Sequence, residues 1–222
     1  VELGRALGEF VREIRALPEP EAVERLRARH DLDERAAANL LGFLAEQAAA
    51  TGAVPDDRTV VVERFRDEIG DWRVCVLSPF GARVHAPWAM ALRARLAEEW
   101  GVDVELIWSD DGIVLRLPEA VDRLPTDQLV LDPDELDEII LTHLPSTAMF
   151  AARFREASAR ALLLPRRRPD RRTPLWQQRQ RAADLLAVAS RYGSFPILVE
   201  TYRECLADVF DLPALREILG GV

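Results

Sequence analysis

The stretch Val102-Asp103-Val104-Glu105-Leu106-Ile107-Trp108-Ser109-Asp110-Asp111-Gly112-Ile113-Val114-Leu115-Arg116-Leu117 decides the fold class. Two strand-like runs, Val102 to Trp108 and Ile113 to Leu117, flank Asp110-Asp111-Gly112. An Asp-Gly pair between alternating runs marks a tight hairpin. Upstream, Thr59 to Phe65 and Trp72 to Leu77 are two further valine-rich strands. Asp67-Glu68-Ile69-Gly70-Asp71 joins them as a longer hairpin loop. Between the two pairs, Pro87 to Trp100 reads as a helix. It sets Met90, Leu92 and Leu96 inward and Arg93, Arg95, Glu98 and Glu99 outward, and Gly101 stops it. The order ββαββ predicts a small mixed or antiparallel sheet with a helix on one face.

Helical patterns flank this unit. Leu3, Leu7, Phe10, Ile14 and Leu17 recur at helical spacing, and Pro18 and Pro20 break the chain. Ala22, Val23 and Leu26 mark a second helix. Asp31 or Asp33 can cap a third, which carries Leu40, Leu41, Phe43 and Leu44 and ends near Gly52. Three such helices fit the start of a winged helix or a plain helical layer. Downstream, Asp132-Pro133-Asp134-Glu135 has the Asp, Pro and Glu spacing of a helix start. Helices are expected to follow from Thr147 to Leu164, from Thr173-Pro174 to Tyr192-Gly193, from Pro196 to Phe210 and from Pro213 to Leu219. The predicted class is α+β: a small ββαββ sheet unit (58–118) flanked by an N-terminal helical part (1–57) and a C-terminal helical part (119–222). Together they read as one composite accessory domain of a larger protein. No internal repeat is present.

Composition excludes several functions. The chain has 222 residues, 49% apolar and 30% charged, the profile of a globular protein. No apolar run approaches the ~20 residues of a membrane helix, and no leader is visible. Val1 in place of a start methionine fits a segment of a longer protein, or start-Met removal. Cys75 and Cys205 read as free thiols of a reducing compartment, so a cytoplasmic location is expected. Lysine is absent: all 29 basic residues are arginine. A P-loop needs a lysine on the phosphates, so no ATP site of that kind is encoded here. Neither G-x-x-x-x-G-K-[ST] nor G-x-G-x-x-G occurs.

The basic residues cluster. From Arg153 to Arg181, ten arginines stand against Glu156 and Asp170, a local balance of +8 in a chain of net charge −9. Arg166, Arg167, Arg168, Arg171 and Arg172 lie in a segment that Pro165, Pro169 and Pro174 hold extended. It feeds into a helix N-terminus, where free N–H groups and the helix dipole favour anions. Trp176, one turn in, is placed to stack on a base. This is the candidate nucleic-acid or phosphate site. The competing reading docks the arginines on residues 119–138, where eight acidic groups face Arg123 alone, or leaves them solvated.

Ser78-Pro79-Phe80-Gly81-Ala82-Arg83-Val84-His85-Ala86-Pro87-Trp88 joins a strand to a helix. It reads as an interaction loop presenting Arg83, or as a turn whose His85 and Trp88 pack inward; the second is preferred. No G-x-S-x-G surrounds Ser78, so no hydrolase elbow is formed. Asp110 and Asp111 raise a nuclease-type metal pair, but they already serve a turn. His30, His85 and His143 are scattered without cysteines at zinc spacing, and no metal site is read.

Longer motifs resemble a known family. Arg58-Thr59-Val60-Val61-Val62-Glu63-Arg64-Phe65-Arg66-Asp67-Glu68, Gly70-Asp71-Trp72-Arg73-Val74, the 78–88 loop, and Trp108-Ser109-Asp110-Asp111-Gly112-Ile113 resemble the Lhr (large helicase-related) family of superfamily 2 helicases. So do Leu164-Pro165-Arg166-Arg167-Arg168-Pro169, Arg172-Thr173-Pro174-Leu175-Trp176-Gln177-Gln178-Arg179, Arg191-Tyr192-Gly193-Ser194-Phe195-Pro196 and Glu200-Thr201-Tyr202-Arg203-Glu204-Cys205. The resemblance covers nearly the whole chain and is to the family's DEAD/H-associated region, which follows two RecA-like domains and a winged helix. It implies an ATP-driven 3′-to-5′ translocase on single-stranded DNA that unwinds duplexes, including RNA:DNA hybrids, in DNA repair. ATP and magnesium would belong to the motor domains, since those domains' motifs have no counterpart here; no cofactor is expected in this chain. Its partners would be the strand and the upstream domains. The alternative role is a structural or protein-interaction module that braces the motor.

Overall fold

The computed structural model describes residues 1–101, 104–117, 128–164 and 174–221, with the exception of the Trp100 side chain. Residues group into two compact units. One comprises Val1–Pro133 with Ala214–Val222, the other Asp134–Pro213.

The first unit opens with three helices, α1 (Glu2–Arg15), α2 (Glu19–Arg29) and α3 (Glu34–Thr51). Ile14, Ala22, Leu26 and Ala37 form their buried centre, with Phe10, Leu17, Leu40 and Leu41 packed around it. The Asp33 carboxylate caps α3 by accepting from Ala36 N at 2.7 Å, and Gly52 closes it in the left-handed region at φ 78°. Leu3, Leu7 and Phe43 carry the expected helical spacing, yet all three are exposed.

The sheet has four antiparallel strands: β1 (Val61–Arg66), β2 (Trp72–Leu77), β3 (Glu105–Trp108) and β4 (Gly112–Leu117). Their order is β1-β2-β4-β3, so β2 and β4 are central. The register sets Val76 opposite Ile113 and Val74 opposite Leu115. That face is buried and lies on the side of α4 (Ala82–Trp100), which packs on β3 and β4 and buries its own Val84, Trp88, Leu92 and Leu96. The fold class is therefore α+β, with the ββαββ order in place. Gly112 is required where β4 meets β2: a Cβ there would lie 2.2 Å from the Val76 carbonyl oxygen.

Several boundaries differ from the sequence reading, three of them for reasons the structure shows. Strand β1 starts at Val61 rather than Thr59, because Thr59 bridges back to Asp56. Helix α4 starts at Ala82, so Pro87 lies inside it. The cause is tertiary: Gly81 turns the chain at φ 88°, and Asp110 of the β3–β4 hairpin caps Ala82 N at 2.9 Å. Downstream, the helix expected from Asp132 begins at Leu136 as α5 (Leu136–His143). Leu129 and Leu131 are buried and Val130 is exposed, and the Leu129 carbonyl accepts from Trp88 Nε1 at 3.0 Å.

The second unit is helical: α5, α6 (Ala148–Arg160), α7 (Leu175–Ala189) and α8 (Pro196–Arg203), the last continuing into a π-helical turn, Glu204–Val209. Helix α6 packs against both α7 and α8. Its Thr147 cap accepts from Phe150 N at 3.1 Å. Its inward side is Phe150, Phe154, Ala157 and Ser158, and Phe150 meets the ring of Tyr202 at 4.8 Å. Helix α9 (Leu212–Gly220) follows, and from Ala214 onward it belongs to the first unit.

Candidate nucleic-acid interface

Arg166, Arg167, Arg168, Arg171 and Arg172 lie outside the described residues, as do 119–127 of the acidic stretch. Both flanks of the arginine segment are described. On its entry side, α6 ends at Arg160. Leu162 then takes a left-handed conformation at φ 60°, and Leu163 N donates to the Ser158 carbonyl at 3.0 Å. This is the closing geometry of a helix end, built here with leucine where glycine is usual. On the exit side, Pro174 precedes α7, whose N-terminus has no side-chain cap among the described residues. Leu175 is 59% exposed and Trp176 66% exposed. A helix N-terminus beside a large open aromatic ring is thus present where the sequence pattern places one, while Thr173, expected at its cap, lies outside the described residues.

Arginines of the helices divide into two sets. Arg153 pairs with Glu156 at 3.3 Å, and Arg160 pairs with Glu204. Among the described residues, no carboxylate pairs with Arg155 or Arg179. These two line a groove between α6 and α7 whose remaining lining is alanine and leucine. Taken one residue at a time, the sequence does not separate them from the other arginines. The signal lies in helical spacing: Ala148, Ala152 and Arg155 fall on one face of α6, and Arg179, Ala182 and Leu186 on one face of α7.

Arg83 is exposed on the first turn of α4, in the first unit. Around it the 78–88 loop packs inward. His85 is fully buried and Trp88 nearly so. His85 Nδ1 lies 2.8 Å from the Ser109 carbonyl, and Ser78 Oγ lies 2.5 Å from Nε2. A carbonyl only accepts, so Nδ1–H donates to it and the Ser78 hydroxyl donates to Nε2. Burial holds the imidazole below its ordinary value, with the Ser109 bond and nearby Asp110 and Asp111 opposing this. Ser78, at 2% exposure, is sealed from any outside substrate. The pair is a tie between loop and hairpin rather than a nucleophile.

Other chemistry finds no support in the geometry. Asp110 serves as the α4 cap. Among the described residues, no group of three or more His, Cys, Asp or Glu is placed to hold a metal. Both thiols are buried, and burial pushes Cys205 up to about 11, far from a reactive thiolate. No helix of the described residues is long and apolar enough to cross a membrane.

Comparison with known proteins places this α+β chain in a family. The chain belongs to the DEAD/H associated family, whose model matches residues 54–222. Within that family it is similar to Lhr helicases. It is 51% identical over 222 residues to the Lhr helicase/probable uracil glycosylase of Mycolicibacterium smegmatis, covering 100% of this chain and 15% of that protein. It is 52% identical over 188 residues to the Lhr helicase/uracil glycosylase of Escherichia coli, covering 84% of this chain and 12% of that protein. The structure of Mycobacterium smegmatis helicase Lhr bound to ssDNA and AMP-PNP superposes with a TM-score of 0.88 at 50% identity, covering 99% of this chain and 28% of that one. The chain therefore spans about a seventh of the length of these two curated relatives.

Proposed function

We propose that this chain is the accessory nucleic-acid-contacting domain of an Lhr-type ATP-dependent 3′-to-5′ helicase. Its parts, 1–57, 58–118 and 119–222, would act as one composite domain. The helicase would act on DNA and RNA:DNA hybrids in DNA repair, in the cytoplasm. ATP and magnesium would be bound by RecA-like motor domains elsewhere in the polypeptide, reached through a winged helix. The observation that carries this reading is the N-terminus of α7 with Trp176 open beside it, preceded in sequence by the arginine-rich segment 165–173. Backbone N–H groups and guanidinium forks both favour phosphate oxygens, and an exposed indole favours a base. The ssDNA in the solved relative supports the choice of ligand.

In this reading Arg166, Arg167, Arg168, Arg171 and Arg172 hold phosphates, Trp176 stacks, and Arg83 adds a contact from α4. Replacing these five arginines with alanine should weaken oligothymidylate binding and lower the salt slope of log K by roughly 0.7 for each phosphate no longer neutralised. Binding and slope equal to the parent chain would remove this segment from the interface. The bracing alternative draws on Leu162, Leu163 and Leu175, which stand exposed around the same segment, as residues of a protein–protein contact do. In that case the arginine variant would bind DNA normally.

A further inference from the structure

The pair α6–α7 encloses an open groove of about 610 Å3. Ala151 and Ala152 from α6, and Ala182 and Ala183 from α7, form much of its lining. Short side chains keep the floor low, so the groove has room for flat or chain-like groups. Among the described residues no carboxylate lines it, and Arg155 and Arg179 are the charged ones. Each is the lining residue of its helix nearest the connecting segment. Trp176 and Ala183 share a face of α7 with Arg179, at spacings of three and four from it, so the open indole stands one turn beyond the groove on the same side.

The lining is suited to one kind of ligand. Guanidinium forks with no acid partner among the described residues attract phosphate oxygens and make paired bonds to them. An alanine floor accepts sugar and base surfaces without competing for hydrogen bonds. An acidic protein helix is a poorer fit, because its carboxylates would meet the arginines only at the rim, where ion pairs contribute little. We propose that the groove between α6 and α7 seats a segment of single-stranded nucleic acid, with Arg155 and Arg179 on its phosphates and Trp176 against a base. This rests on the nucleic-acid-contacting reading above and extends the contact from the connecting segment onto two helix faces.

The test uses the full chain and a fluorescein-labelled oligothymidylate followed by anisotropy across a salt series. Arg155→Gln with Arg179→Gln should lower the salt slope by about 1.4, the value for two single-strand phosphate contacts. Lysine at both positions should restore the slope but only part of the affinity. Ala183→Phe fills the groove without changing charge and should weaken binding at least about fivefold, with base stacking excluded from the seat. All three positions face the groove or solvent, so circular dichroism and melting should match the parent. If Ala183→Phe and the double glutamine variant both bind as the parent does, the seat is wrong, whatever the five-arginine variant does. A slope change in the glutamine variant without an effect of Ala183→Phe would also overturn the seat, leaving only a charged rim. Displacement of the oligonucleotide by polyglutamate at equal charge would reduce the groove to a general anion surface and overturn the assignment. Failure of the parent chain to bind at any salt would remove both this proposal and the broader reading.

Discussion

Ser78 and His85 place a titratable ring inside an apolar layer, and this sets a pH dependence. The folded value of His85 lies below its ordinary 6.5. The unfolded chain therefore takes up a proton first as pH falls, and folding stability drops from about pH 6.5 downward until the folded value is passed; above 6.5 it is constant in this respect. Urea midpoints measured from pH 8 to 5 should fall on this course. His85→Asn keeps a donor for the Ser109 carbonyl and should flatten the profile, at about 1–3 kcal/mol lower overall stability. The glycines of the helices offer a paired test at the same scale. A Cβ on Gly4 would stand 2.1 Å from the Pro79 carbonyl oxygen, while one on Gly42 meets nothing within 4 Å. Gly42→Ala should therefore stabilise α3 by about 0.5–1 kcal/mol through backbone entropy. Gly4→Ala gains the same term but must push α1 off backbone, and should lower stability by about 1–3 kcal/mol. Equal signs in thermal denaturation would refute the contact.

Helix and strand identities follow local rules wherever the signal is local. Trp72–Leu77 has the bounds expected of it, the Asp110-Asp111-Gly112 hairpin forms, and Asp33 and Gly52 bracket α3. The sequence could not supply the start of α4, because its cap comes from Asp110, 28 residues away, and lets the helix run through Pro87. It also could not supply the start of α5, because the preceding chain is anchored by the burial of Leu129 and Leu131 and by the Leu129 bond to Trp88 rather than by local propensity. The candidate site divides in the same way. Trp176 at the helix start was legible, since Pro174 and the arginine run are contiguous. The pairing of Arg155 with Arg179 across two helices was not, because it depends on which faces meet. The end of α6 carries its own prediction. Leu162 holds a left-handed conformation that costs a non-glycine residue roughly 1 kcal/mol, and it is 61% exposed. Leu162→Gly should raise the melting temperature by a few degrees, having relieved that strain with little loss of burial. A lower melting temperature would mean that the leucine side chain is itself packed.

Charge is the property that needs the whole molecule. The stretch Arg153–Arg181 carries +8 in a chain of −9, which leaves −17 on everything else. A nucleic acid at the basic stretch is attracted locally and repelled by the remainder, and ionic strength decides how much of the remainder it feels. At about 0.1 M salt the screening length is roughly 10 Å, so the strand responds to the arginines around it. At about 0.01 M it is roughly 30 Å, comparable to a small domain, and the acidic majority comes into range. Counterion release alone makes log K linear in log salt. Here the line should bend, with full slope between about 0.1 and 0.3 M and a flattened approach below about 0.05 M. Anisotropy titrations with oligothymidylate over that range measure the curvature directly. Neutralising acidic residues far from the arginines in sequence, such as Glu19, Glu21 and Glu24 of α2, should restore linearity without touching the high-salt limb. A straight line down to the lowest salt would mean that the strand contacts a surface whose field is basic at every distance, and would move the interface away from this balance of charges.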